Sequence, residues 1–306
     1  MIRALAGALL ALALAACASV PPAPAGEGRF VEWERLEAEG LPDQRVTIWL
    51  PPEYDSARGK RFPVLYMHDG QNLFDPAKTH YGKAWQVDDV LRAMVAAGEA
   101  EPHIVVGVWS PDKDRYRQYL PQPAESATGA IAESMRQMAG GPIVSARYLE
   151  WLADTLKPRI DREYRTRPAA EDTTVIGSSM GGIMSCYAMV ERPDTFGRAA
   201  CVSSHWPIAD PELAAAQKGE IDAIWRTWLD AKLGPPNGRR VWMDHGTALL
   251  DAHYPPYQAS ISDGFRANGW RDGEHFVARS YEGAEHDEIA WNARLPEMLG
   301  WLWAGD

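Results

Sequence analysis

The run "TTVIGSSMGGIMS", residues 173–185, constrains this chain more than any other stretch. Its first half is short, continuously apolar and rich in β-branched residues, as a strand buried on both faces should be. The following "GGIMSCYAMVERPD" reads as a helix. Gly177 and Gly181 flank Ser179 in the pattern G-x-S-x-G, which sits on a sharp strand-to-helix turn. Such a turn holds its serine in an unfavourable backbone conformation and leaves no room for side chains two residues to either side. Ser179 is thereby pushed out at the sheet edge, at a helix N-terminus whose dipole and free N–H groups favour an oxyanion. Ser179 is the candidate nucleophile. Ser178 lacks the symmetric glycines and is expected to support the turn.

Apolar, β-branched runs recur at 45–50, 63–69, 103–109, 173–177, 199–204, 240–246 and 275–281. Segments of helical period separate most of them. Leu149, Leu152, Leu156 and Ile160 fall on one helical face, and Ile289, Leu295, Leu299 and Leu302 recur at near-helical spacing, with Pro296 expected to kink or restart that helix. Strands alternating with helices predict an α/β fold with a mostly parallel central sheet covered on both faces. Ligands then bind beyond the carboxyl ends of the strands. Two irregular segments, 109–142 and 203–225, follow strands and are placed to overhang that edge.

A serine nucleophile needs a base within hydrogen-bond reach, and in this chain order the base follows the last strand. His286, in "YEGAEHDEIAW", stands there. An acid between the two fixes the imidazole tautomer. "VWMDHGTALLDAHY" offers Asp251, on the loop beyond the strand, as the expected acid and Asp244, inside the strand or at its end, as the alternative. Two backbone N–H groups complete an oxyanion hole, one after the nucleophile and one after an early strand, which points to Met180 and to Gln71 in "LYMHDGQNLFD". Trp109, Tyr116, Tyr119, His205, Trp206 and Trp291 lie near the same edge in sequence and are the candidate pocket lining. No Cys/His spacing reads as a metal site.

The N-terminus reads as a targeting segment: Arg3, an apolar run to Leu14, then Ala15-Ala16-Cys17. Residues 1–16 are expected to be removed as a lipoprotein signal peptide, leaving Cys17 as a lipidated N-terminus; an ordinary secretory signal is the alternative. Ser19 favours an outer-membrane anchor facing the periplasm. Residues 17–28, rich in Pro, Ala and Gly, are expected to be a disordered tether, and 29–306 one large domain. The net charge of −11, one unit more negative without Arg3, argues against nucleic acid as a partner. Two cysteines are left in the domain, Cys186 and Cys201; buried thiols are the simpler expectation and one bridge the alternative.

With these residues in place, the chain resembles the esterase family of α/β-hydrolases that includes esterase D, feruloyl esterases, trilactone siderophore esterases and mycolyltransferases. The resemblance spans roughly Arg45 to Trp303 and rests on "PVLYMHDGQNLFD", "IDREYRT", "VIGSSMGGIMSCYAMVERPDTFGRAACVSS", "DHGTALLDAHYPPYQ" and "EGAEHDEIAWNARLPEMLGWL". It implies the α/β-hydrolase fold and ester hydrolysis through an acyl-enzyme, without metal or organic cofactor. The family's nucleophile and base carry over onto Ser179 and His286, and its acid onto Asp251, although some trilactone esterases use Ser and His alone. Carbohydrate-linked, aromatic acyl and siderophore esters are all open as substrates. Acyl transfer to a sugar or lipid alcohol is the alternative activity, and a non-catalytic binding lipoprotein a third.

Overall fold

The computed structural model describes residues 26–79 and 81–305. Cys17 and the targeting segment lie outside these residues. One eight-stranded sheet organises the chain: β1 (Arg29–Leu36), β2 (Gln44–Leu50), β3 (Val64–His68), β4 (Ile104–Val108), β5 (Thr173–Ser178), β6 (Arg198–Val202), β7 (Arg240–Gly246) and β8 (Phe276–Tyr281). Their spatial order is β1-β2-β4-β3-β5-β6-β7-β8. Strands β4 through β8 pair in parallel, while β1 on β2 and β2 on β4 are antiparallel. This is the mostly parallel α/β sheet expected from the strand and helix alternation, in the α/β-hydrolase architecture that the resemblance implied.

Side chains alternate across the pleat, so each central strand feeds two cores. Val64 and Tyr66 pack with the helices Met180–Glu191, Lys218–Lys232 and Pro255–Ala267 on one face. Leu65 and Met67 pack with Val87–Ala97 and Glu288–Leu302 on the other. Sheet order reverses around β3: the chain steps to β4 on one side, then crosses to β5 on the other. The loops after β3 and β5 therefore lie side by side at the carboxyl edge, the usual ligand crevice of such sheets.

Several details differ from the sequence expectations. Strand β1 was not anticipated, although Val31 and Trp33 alternate with Glu32 and Glu34 in the period of a half-buried edge strand. The tether expected to run to residue 28 is held at its end, because the Trp49 indole N–H donates to the Glu27 carbonyl at 3.1 Å. Leu149, Leu152, Leu156 and Ile160 are buried together, but the helix carrying them widens to a π-helical stretch at Trp151–Leu156, just before Pro158, which has no N–H to donate. The C-terminal helix continues through Pro296 instead of restarting, since buried Leu295, Met298, Leu299 and Leu302 hold both halves against the sheet. Ile289, placed on that apolar face by spacing, is 60% exposed.

Cys186 and Cys201 form a disulfide, with Cα atoms 5.8 Å apart, in place of the two buried thiols expected. The bridge ties the helix after β5 to β6. Closing a loop of 15 residues removes unfolded-state entropy worth about 3 kcal/mol. A Cys186→Ala/Cys201→Ala double variant is expected to unfold at correspondingly lower urea, and an unchanged midpoint would show that the bridge contributes nothing.

Candidate active site

Ser179 occupies φ 59°, ψ −120°, between the end of β5 and the helix Met180–Glu191. Of the two glycines expected to exclude a side chain, Gly181 does so least, since a Cβ there would meet His68 Cβ at 3.1 Å; a Cβ on Gly177 would lie 2.5 Å from the Gly181 carbonyl oxygen, and one on Gly182 would lie 2.5 Å from Ser204 Oγ. Only hydrogen fits at Gly177 and Gly182. The Ser179 N–H donates to the Val202 carbonyl at 2.9 Å, so the turn is stitched to β6 while its side chain projects into a cavity. Met180 opens the helix, where backbone N–H groups have no partner within the helix.

His286 lies on the loop between β8 and the helix Glu288–Leu302, and Asp251 in a short 3₁₀ turn, Leu249–His253, after β7. Their side chains meet, His286 Nδ1 to Asp251 Oδ1, at 2.5 Å. The Asp251 carboxylate is fully buried; its second oxygen, Oδ2, accepts from the Gly246 N–H and from Ser203 Oγ, each at 2.6 Å. Burial would raise its pKa, but the bonds from His286, Ser203 and Gly246 outweigh that and hold it below the usual carboxylate range. Asp244, the alternative acid, sits within β7, also fully buried, and faces Arg294 at 2.8 Å and the Trp242 indole at 2.7 Å instead of the imidazole.

The loop after β3 brings Gln71 to the same edge. Asp69 adopts φ 57°, and Gly70 presses so close to the Gly107 backbone that an added Cβ would lie 2.7 Å from it. The Gln71 amide is clamped by Ser110, donating through Nε2 to the hydroxyl at 2.7 Å and accepting from the Ser110 N–H at 3.1 Å. These contacts hold the Gln71 side chain, and the residue lines the cavity together with Ser179.

That cavity has a volume of about 880 Å³, and Ser179 and His286 both line it. Charged and polar side chains are prominent in its lining, Asp69, Asn72, Lys83, Asp112, Arg115 and Glu288 among them. Arg115 grips Asp69 through two bonds of 2.7 Å, and burial of Asp69 is outweighed by that guanidinium, which lowers its carboxyl pKa. Lys83 pairs with Asp287 at 2.6 Å, and the Asn72 amide donates to Glu288 at 3.0 Å. Burial, with the charges of Asp287 and Asp69, pushes the Glu288 carboxyl up.

The expected aromatic lining is corrected on five of six counts. Trp109 turns to β2, donating to Thr47 under the Arg45 guanidinium. The Tyr116 hydroxyl donates to the Ile208 carbonyl, and Tyr119 is wholly buried against His68 and Tyr148. Trp206 packs edge-on against Trp225 in the core, and His205 hydrogen-bonds Tyr254 at 2.9 Å. Trp291 does line the cavity, stacked on Trp85 and edge-on to the His286 ring. The aromatic residues were sought by proximity in sequence, but most satisfy their polar tips elsewhere.

Residues 42–302 match the family described as "Putative esterase". The chain belongs to this esterase family. Among curated proteins it is 27% identical over 165 residues to the uncharacterized protein YbbA of Bacillus subtilis, covering 54% of this chain and 58% of that one. It is also 27% identical over 157 residues to an endo-1,4-β-xylanase/feruloyl esterase of Xylanibacter ruminicola, covering 50% of this chain and 18% of that one. The chain spans 58% and 18% of the length of these two relatives. Among solved structures, a ferulic acid esterase aligns with a TM-score of 0.62 at 18% identity, over 90% of this chain and 97% of the other. The enterobactin esterase of Shigella flexneri aligns with a TM-score of 0.65 at 18% identity, over 93% and 61%. At these identities the structural likeness speaks to the fold.

Two residues beside the Asp251–His286 pair, Tyr254 and Ser203, escaped the sequence reading. Tyr254 stands edge-on to the His286 ring at 5.7 Å, and its hydroxyl meets His205 Nδ1 at 2.9 Å. His205, on the far side of that phenol, is held neutral: burial lowers its pKa to about 4, with His286 and Arg115 adding to the effect. Ser203, which binds Asp251, follows β6 in "VSSHWP". Its signal was its place after a central strand, shared by many loop serines.

Proposed function

We propose that this esterase is a serine carboxylic ester hydrolase in which Ser179 is the nucleophile, His286 the general base and Asp251 the acid that orients it. The observation that carries this reading is the shared cavity: Ser179 and His286 line it together, and His286 rests on a buried, ionised Asp251. With Nδ1–H committed to Asp251, Nε2 is free to take the Ser179 proton as Oγ attacks the acyl carbon. The N–H groups of Met180 and Gln71 would hold the oxyanion. Collapse expels the alcohol, protonated by His286, and a water activated by the same imidazole releases the acid.

Cavity chemistry favours an ester whose alcohol part is uncharged and polyhydroxylated, as in a sugar. Both cations on the wall are already engaged, Arg115 with Asp69 and Lys83 with Asp287, while Asp112 and Glu288 add further carboxylates. A polyanionic ester would meet like charge there. Exposed Tyr81 on the wall offers a ring on which a sugar could stack. The xylanase/feruloyl esterase relative is consistent with such a substrate. The lipid-anchored, periplasm-facing location is part of the same proposal; a disulfide in the core supports an oxidising compartment.

The test is a kinetic panel. Acetylated and feruloylated xylosides should be hydrolysed with kcat/KM at least about tenfold above a trianionic catecholate trilactone. Preference for the trianion would overturn the substrate assignment, and absence of turnover of any ester, with no labelling by a fluorophosphonate, would overturn the hydrolase.

A further inference from the structure

Behind the Asp251–His286 pair lies a buried polar cluster whose protons are all assignable from the heavy atoms. Ser203 Oγ is approached by Arg294 Nη2 at 2.7 Å and by Trp291 Nε1 at 3.0 Å. Guanidinium and indole nitrogens only donate, so both contacts fall on the lone pairs of Ser203. Its one hydroxyl proton is left to point at Asp251 Oδ2, 2.6 Å away. Arg294, 3% exposed, faces the fully buried carboxylate of Asp244 at 2.8 Å. Asp244 in turn accepts from the Trp242 indole and the Ser203 N–H.

Ser203 itself sits at φ 40°, a left-handed conformation unfavourable to a residue with a Cβ. Its N–H also donates to the Asp244 carbonyl at 2.9 Å. Backbone and side chain are therefore both tied to this cluster, and the unfavourable backbone aims the hydroxyl at the carboxylate.

We propose that Ser203 and Arg294 form a positioning relay for the catalytic pair: Arg294 polarises the Ser203 hydroxyl, which in turn draws charge from Asp251 and holds its other oxygen on His286. The relay rests on the reading of Asp251 and His286 given above. A donor on Oδ2 draws charge from Oδ1 and weakens its pull on an imidazolium, so loss of that donor should move the acid limb of the rate profile to higher pH. The other groups facing His286 are Tyr254 from the loop of Asp251, His205 from the loop after β6, Asp287 and Glu288 beside it in the chain, and Arg115 across the cavity. The relay enters through Asp251, on the side away from the cavity.

The experiment compares Ser203→Ala, Ser203→Cys and Asp251→Asn with wild type on a p-nitrophenyl ester. Ser203→Ala should lower kcat about tenfold or more with KM unchanged, and move the acid limb of the kcat/KM profile up by about half a pH unit or more. Ser203→Cys keeps the shape but supplies only a weak donor, so it should behave like the alanine variant. A role in packing alone predicts a cysteine variant like wild type, and wild-type kcat and acid limb in both Ser203 variants would overturn the relay. Wild-type activity in Asp251→Asn would remove the reading of the pair and the relay with it. Should Ser203→Ala fail to fold, the charge-balanced double variant Arg294→Gln/Asp244→Asn reads the same polarisation: the acid limb should again rise, and an unmoved limb would overturn the proposal.

Discussion

Ser179→Ala should lower kcat for a p-nitrophenyl ester by about 10⁴-fold or more and abolish labelling by a fluorophosphonate, with the urea midpoint no lower than that of wild type. Rate and stability separate here for a physical reason. Ser179 is held at φ 59° by the stitching of its N–H to Val202 and by the glycine contacts around it, none of which involves Oγ. Alanine fits the same backbone and loses only the hydroxyl that reaches the cavity. Retention of wild-type rate would move the nucleophile elsewhere, with Ser178, which also lines the cavity, the first candidate. A fall in stability matching the fall in rate would instead make Ser179 a structural residue.

Asp251→Asn and Asp244→Asn should fail in opposite ways. Asparagine at 251 removes the charge that balances the imidazolium and disturbs the tautomer that Oδ1 selects, so kcat should fall about 10³- to 10⁴-fold in a folded protein. Asparagine at 244 leaves Arg294 as a buried cation without its counterion, which should destabilise the fold by about 3–5 kcal/mol while the surviving enzyme keeps most of its rate. Stopped-assay kinetics and urea unfolding on the two variants distinguish the roles. If Asp244→Asn loses the rate and Asp251→Asn does not, the two assignments exchange.

Much of this site was legible because its constraints are local. A nucleophile turn needs its glycines within two residues, and those at 177 and 181 announce Ser179 without any knowledge of the rest of the fold. Asp251 and His286 were found by chain order, because a parallel sheet delivers each post-strand loop to the same edge. The candidates for the pocket fared worse: Trp109, Tyr116, Tyr119 and Trp206 follow strands as expected, yet their rings turn to β2, to Ile208 and to the core. Which way a side chain points from a loop depends on partners distant in sequence. Lys83 and Asp287, 204 residues apart, could not be paired from spacing.

The disulfide has the same explanation. Spacing alone allowed Cys186 and Cys201 to be two thiols; the packing of the helix after β5 onto β6 brings their Cα atoms to 5.8 Å, where a bridge forms. The two carboxylates after the penultimate strand were likewise indistinguishable in kind until Arg294 was seen to face one and His286 the other. From sequence alone came the alternation that makes the sheet, the glycines that make the turn, and the order in which Ser179, Asp251 and His286 arrive at one edge, since each follows from backbone sterics and periodicity along the chain. The tertiary structure alone decided which charges neutralise one another and which rings reach the cavity, since those depend on distances through space that no run of neighbouring residues encodes.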